Sequence, residues 1–538
     1  MKRSPLLLGV ALAAVSGPAL ADDATITSQY TLPFLTSSAF NGSPGNLTIN
    51  QGARLYIDTS GAAVTINSNN TVLNSGVIQN AASSNAVGVH LVAGNNGSLT
   101  LNGATNAILC LSTDCRVFSG NGTGNTGVLL DGNGTFTGSI DLQFGSSTVV
   151  VGTQATGVLI NSQLTGNLNV TQIMTVSGED STAIRVNAPI VGEFTVGQAI
   201  TARGVNIYSS TQVDALSNSA VAIGANVTSG FVVMGPGSSA DTTVSGTLLN
   251  SGTAATVLIA PSVAGVNASN IVIGPRTSDA FGKQTFSFIN RGLINASDND
   301  PGVTGTSVLL GETGAATHTV NLTGGFYNRG RIVTTTESDN AFATGAASAP
   351  SNAYGVIVGN GATISNFSTS GNAGSGSTVS TIVLDGNASA TNDFYKDLYV
   401  TVGNDTRVIT GYDGTTKTAT VGALNGSTST FTTAPSTGDQ FTIKRNAAFI
   451  NEGSIQATTT GNQAVTAAAL KILAQGSTAS LINTGTISAL ASTTDTGVAS
   501  LSAYGIQDLS GTLTNIVNTG SIAAAAAHVI QPTSRRPR

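Results

Sequence analysis

Six copies of one short phrase constrain this chain more than any other feature. After an apolar pair such as Phe288-Ile289 or Leu481-Ile482 comes Asn-x-Gly-x-Ile. The copies begin at Asn74, Asn290, Asn328, Asn451, Asn483 and Asn518, and the last three are 32 and 35 residues apart. The phrase reads as a strand, a tight turn and a second strand. Repetition at this period marks a solenoid or an array, whose units bury their apolar faces only against neighbours. Most residues then serve the scaffold, so chemistry is sought where the repeat breaks.

Composition agrees with a chain of strands and turns. Of 538 residues, 9% are charged and 40% hydrophobic, which is not the balance of a charged disordered chain. There are 65 glycines, and small, β-branched and turn-forming residues dominate. The net charge of −6 is spread thinly and argues against nucleic acid as a partner.

A second phrase runs beside the first. It appears as Ala86-Val87-Gly88-Val89, Asn125-Thr126-Gly127-Val128, Ala353-Tyr354-Gly355-Val356 and Ala503-Tyr504-Gly505-Ile506. Its small residue at 127, 157, 183 and 222 recurs at spacings of 30, 26 and 39. Between these copies lie Gly-x-apolar-x-apolar segments such as Gly166-Asn167-Leu168-Asn169-Val170. Short alternating segments place one set of side chains inward. Gly and Asn at the corners supply φ > 0 or close backbone approach. Stacked Asn side chains are expected to bond one another from coil to coil. A parallel β-helix satisfies all of this. A β-propeller fits less well, because no aromatic signature repeats per blade.

Residues 384–446 break the repeat. Strict alternation in Tyr399-Val400-Thr401-Val402 and a Tyr412-Asp413-Gly414 turn predict antiparallel hairpins. The segment reads as a small β domain inserted in a solenoid loop, resembling a short module of phage tail and large bacterial surface proteins. Phe394, Tyr395, Tyr399 and Tyr412 are its candidate ligand-contact face, for sugar stacking or protein contact. The expected organisation is a leader at 1–21, β-helix at 22–383, the insert at 384–446, β-helix at 447–526, and an irregular basic tail at 527–538.

The leader has a basic start at Lys2 and Arg3, an apolar run from Leu6 to Val15, and a cleavage signal at Ala19-Leu20-Ala21. It predicts an exported chain. Cys110 and Cys115 are then candidates for a local disulfide contributing about 2 kcal/mol. They lack the spacing of a redox pair and the ligand count of a structural zinc site. The basic tail, with Arg535, Arg536 and Arg538, suggests a repeat array cut short.

Catalytic patterns are weak. The acidic pairs Asp22-Asp23, Glu179-Asp180 and Asp298 with Asp300 have no basic partner one coil away, and read as solvated turn carboxylates. Asp298-Asn299-Asp300 could hold at most a stray calcium ion. His90, His318 and His528 lie far apart, and glycine-rich runs such as Gly120-Asn121-Gly122 lack the lysine of a phosphate loop. No catalytic residue, cofactor or metal site is assigned.

The leader, low charge, scarce cysteine and the two phrases resemble the passenger domains of bacterial autotransporters. The resemblance covers most of residues 24–526, the insert excepted. It implies a right-handed β-helix at the outer membrane or released from it, and a C-terminal translocating β-barrel. The chain departs there: it has no series of aromatic-belted strands and does not end in an aromatic residue. Membrane association would run through a barrel not present in this chain. The expected function is adhesion or interaction with a surface protein or glycan, without catalysis. The alternatives are a β-helical polysaccharide lyase or hydrolase, and a self-associating S-layer or biofilm protein.

Overall fold

The computed structural model describes residues 23–39, 42–103, 108–110, 122–204, 219–237, 245–298, 303–337, 350–423, 430–461, 464–493 and 500–528. The leader, Cys115, Asn299, Asp300 and the tail beyond His528 lie outside these residues.

The chain winds as a parallel β-helix with three long sheets. Among the described residues, sheet A holds 13 strands, from Ala24–Ile26 to Asn515–Asn518. Sheet B holds 13, from Gln29–Tyr30 to Ser521–His528, and sheet C holds 12, from Phe34–Leu35 to Ser502–Asp508. One coil shows the path. Phe449–Asn451 lies in sheet A, Ser454–Thr460 in sheet B and Thr466–Ile472 in sheet C. The chain then passes through Ser477–Thr478, in a short fourth sheet, and re-enters sheet A at Ser480–Asn483. Alternation drives the winding. In Ser454–Thr460 every second residue is buried, placing Ile455, Ala457 and Thr459 inside.

Three columns of identical or similar residues hold successive coils together. The Asn phrase forms a hydrogen-bonded ladder, as the repeat predicted. Each Nδ2 donates to the next Oδ1: Asn290 to Asn328 at 2.8 Å, Asn328 to Asn451 at 2.7 Å, Asn451 to Asn483 at 2.7 Å and Asn483 to Asn518 at 2.7 Å. All but the last of these residues are fully buried. Two positions after each Asn stands the Gly column. A Cβ on Gly330 would sit 2.0 Å from the Gly292 carbonyl oxygen, and one on Gly485 2.0 Å from that of Gly453. Neither glycine has positive φ, so close approach, not handedness, demands glycine at this corner. The third column is aromatic and was not anticipated. Phe194, Phe231, Phe288, Phe326 and Phe449 stack inside sheet A with centroids 4.9, 5.2, 4.4 and 4.6 Å apart. Each such contact adds about 0.5–1.5 kcal/mol to burial.

The register corrects one spacing. Ile184 pairs with Val221, so Ala183 stacks on Ala220 and the spacing is 221 − 184 = 37, not the expected 39. A two-residue shift preserves which face each side chain occupies, so the inward pattern survives it.

The insert is a six-stranded antiparallel sheet. Its strands are β1 (Ser368–Asn372), β2 (Thr381–Val383), β3 (Tyr399–Val402), β4 (Asp405–Asp413), β5 (Thr418–Gly422) and β6 (Gln440–Lys444). Their order is β1-β6-β3-β4-β5-β2. The sheet starts at Ser368, earlier than the expected residue 384, because β1 and β2 pair with β6 and β5. The last solenoid strand before it is Ala362–Ile364, and sheet A resumes at Phe449 in register with Phe326. The scaffold continues across the interruption as if the insert were a loop.

Candidate functional site: a charged corner and the inserted domain

The second residue of the Asn phrase points out of the corner and is free to vary. In three of the six copies it is Ser75, Thr484 or Thr519. In three consecutive coils it is Arg291, Arg329 and Glu452. Parallel stacking brings these three together, and a charged group forms around them in a chain otherwise poor in charge. Glu452 receives the Tyr327 hydroxyl at 2.6 Å, Lys283 Nζ at 3.4 Å and Arg329 Nη1 at 3.9 Å. Lys283 also lies 4.8 Å from the Tyr327 ring centroid. Burial, then the bond to Glu452, pushes the Tyr327 phenol well above its ordinary value, so it stays a donor. Deeper in, Arg291 Nη2 meets Asp279 at 2.5 Å, and Arg276 bridges Glu193 at 3.2 Å.

Asp279, Phe281, Lys283 and Phe286 all come from the segment leading into Phe288. That segment covers the outer face of sheet A, where Val232, Ile289 and Tyr327 form a buried apolar patch with Phe286. The ion pairs therefore fasten a covering loop. Glu452 is held by three donors, and Asp279 is 3% exposed beside an arginine.

The insert docks against the same loop. Arg445 is 5% exposed, and among the described residues its partners are neutral. Its Nη1 donates to the Gly324 carbonyl at 2.6 Å, its Nη2 donates to the Thr285 hydroxyl, and its guanidinium lies 3.3 Å from the Phe286 centroid. Burial pulls its pKa down to about 9, which leaves a cation at neutral pH, stabilised by dipoles and a π face. Thr285 has φ of 77°, a left-handed value unfavourable for a β-branched residue. The neighbouring Gln284 Nε2 donates to the Asp393 carbonyl of the insert. The strained turn thus sits where the two parts are clamped.

The expected ligand-contact face does not exist as such. Phe394, Tyr395 and Tyr412 are 9%, 5% and 4% exposed and belong to the core of the insert. They pack edge to face, with centroids of Phe394–Tyr395 and Tyr395–Tyr412 each 4.9 Å apart. Both phenols are satisfied inside: Tyr412 donates to the Ser389 carbonyl, and Tyr395 accepts from the Ser389 N–H. A domain this small needs its aromatics for a core, which is the reason for the correction. Tyr399 alone is partly exposed, with Asn446 3.4 Å from its hydroxyl. A concave feature of the insert lies elsewhere. An open groove of about 430 Å³ is bordered by Val402, Asp405, Thr432, Pro435, Asp439 and Gln440. Of its two carboxylates, Asp405 accepts from Thr432 N–H and is ion-paired with Arg407, and Asp439 accepts from Ser436 N–H.

The other candidates are scattered. Cys110 is on a sheet B strand paired with Asn80 and Val150, while its expected partner Cys115 lies outside the described residues. Asp23 accepts from the Asn46 N–H, and Asp180 occupies a turn with φ of 54°. Asp298 ends a sheet B strand, and the rest of its acidic triplet is outside the described residues. His90 pairs with Asp131 at 2.6 Å on the outside of sheet C; His318 and His528 are elsewhere. Among the described residues no group of three or more His, Cys, Asp or Glu could hold a metal.

No family model, curated protein or solved structure matches this chain.

Proposed function

We propose that the chain is an exported, non-catalytic surface protein of the autotransporter-passenger type that binds a protein or glycan through its inserted domain. The observation that carries this reading is the attachment of the insert. A buried arginine and a strained turn clamp one small domain to the covering loop, which the charged corner in turn fastens to a long rod. A rod of stacked coils holds such a domain away from its point of attachment. The groove with Asp405, Asp439 and Gln440 supplies hydrogen-bond acceptors and donors at the edge of that domain. Binding of the purified chain to arrayed glycans and surface proteins tests the reading, with Asp405→Ala and Asp439→Ala expected to weaken any captured ligand. Turnover of acidic or neutral polysaccharides by the same preparation would replace it with the enzyme alternative.

A further inference from the structure

Alternation along the strands of the insert separates two faces. Val400, Phe441 and Ile443 turn into its core. The residues between them turn outward, and the register sets them in rows across the strands. Lys444 of β6 stands beside Tyr399 of β3, and Thr442 beside Thr401. Gln440 comes next on β6 and borders the groove. On the far side of β6, the outward residues of β1 are two serines and an asparagine, all exposed. Val408 of β4, beside Tyr399, is the apolar exception on this face.

We propose that this face, continuing from the groove, binds an oligosaccharide that carries carboxylates, with Tyr399 packing a sugar ring and Lys444 pairing an acid group. The inference rests on the reading of the insert as the binding domain and narrows its ligand. A protein partner is held mainly by buried apolar and aromatic anchors, and a face of Ser, Thr, Gln and Asn supplies few. A sugar chain offers hydroxyls along its length and C–H faces on its rings. Hydroxyl and amide side chains around one aromatic ring suit both. Asn446 Nδ2 donates to the Tyr399 hydroxyl at 3.4 Å, which steadies the ring and leaves the phenol proton to donate. Lys444 selects the acid. It is exposed, and its ammonium has no acceptor among the described residues, whereas Arg407 is neutralised by Asp405. From Tyr399 to Val402 at the groove is three residues of strand, about 10 Å, so the ligand is a chain of rings and not one sugar.

Isothermal titration of the full chain with oligomers of galacturonate, sialate and hyaluronan tests the proposal. Each is compared with its methyl ester, which keeps the rings and masks the charge. At least one acid oligomer should bind, and its ester should bind about tenfold more weakly. Lys444→Gln should raise the dissociation constant about tenfold, and Lys444→Arg should restore it to within about threefold. Tyr399→Ala should raise it about fivefold. Lys396→Gln, at an exposed lysine elsewhere on the insert, should leave it unchanged. Lys444 is exposed, so its variants keep the test decisive if Tyr399→Ala does not fold. Esters that bind as well as the acids, or an affinity indifferent to Lys444→Gln, would overturn the inference. Capture of proteins or neutral glycans alone would overturn it and spare the insert as the binding domain. Capture of nothing at all would overturn both.

Discussion

Replacing Asn451 by Ala breaks the ladder at its centre. The side chain donates to Asn483 at 2.7 Å and to the Thr486 carbonyl at 3.2 Å, and accepts from Asn328 at 2.7 Å. Two buried amide bonds contribute about 1 kcal/mol each, net of their bonds to water in the unfolded chain. Their removal also strands neighbours. Asn328 Nδ2 keeps only a 3.3 Å contact with the Ser454 carbonyl, and Asn483 Oδ1 loses its donor. Stranding buried groups costs about 1–3 kcal/mol, so the loss should total about 3–5 kcal/mol. Long repeat arrays do not unfold as one unit, so the suitable assay is native-state hydrogen exchange at the Ile455 and Ile487 amides. Asn161→Ala is the control, because Asn161 accepts from Asn187 at 2.8 Å on an exposed surface and should cost under about 0.5 kcal/mol. The double change with Asn328→Ala should show about 1–2 kcal/mol of coupling. If Asn451→Ala costs no more than the control, the ladder is a by-product of stacking and not a cause of it.

Three further outcomes are expected. Gly330→Ala puts a methyl 2.0 Å from the Gly292 carbonyl and, with φ not at fault, should destabilise by the spreading of coils, about 2–4 kcal/mol, read by the same exchange measurement. Arg445→Ala leaves the Gly324 carbonyl without its charged donor and removes the contact with Phe286; limited proteolysis should then cut near Asn446 faster, while the solenoid keeps its circular dichroism. Burial raises the phenols of Tyr327, Tyr354, Tyr395 and Tyr412 above the ordinary value of 10.0. Their contribution to stability is fully present below pH 10 and lost as pH rises through the raised values, so these four should resist ionisation in an ultraviolet titration of the folded chain. Ionisation of all nine tyrosines in one step near pH 10 would contradict that burial.

The solenoid was legible because its forces act between identical positions. Asn over Asn and Gly over Gly leave the same letters at each turn, so the corner of sheet A could be read from Asn290 to Asn518. The Phe column left a weaker trace. Phe288, Phe326 and Phe449 precede Asn by two residues, but Phe194 and Phe231 lie in coils without the phrase. The insert was legible as antiparallel, and its aromatics were misassigned, because alternation reveals two faces and not which one is buried. Its first strand, Ser368–Asn372, has no apolar side chains and pairs through backbone alone. The charged corner did carry a signal. Arg291, Arg329 and Glu452 occupy the variable slot of a phrase already recognised, and only the stacking order shows that they are neighbours 38 and 123 residues apart (329 − 291 and 452 − 329).

The outer face of sheet A explains why the insert sits where it does. Following the register outward along the rod, one position reads Thr25, Thr48, Leu73, Thr100, Asp141, Asn169 and Thr195. From the next coil it reads Val232, Ile289, Tyr327, Ile450, Ile482 and Val517. A sheet facing water needs the first series, and a sheet with a covering layer needs the second. The change falls at the coil where the loop with Phe286 begins to cover the sheet, and the insert joins the chain two coils on. Val232, Ile289 and Tyr327 are buried under that loop, while Val517 is 47% exposed at the far end. The apolar stripe thus continues past the loop that covers its start, through the half-buried Ile450 and Ile482.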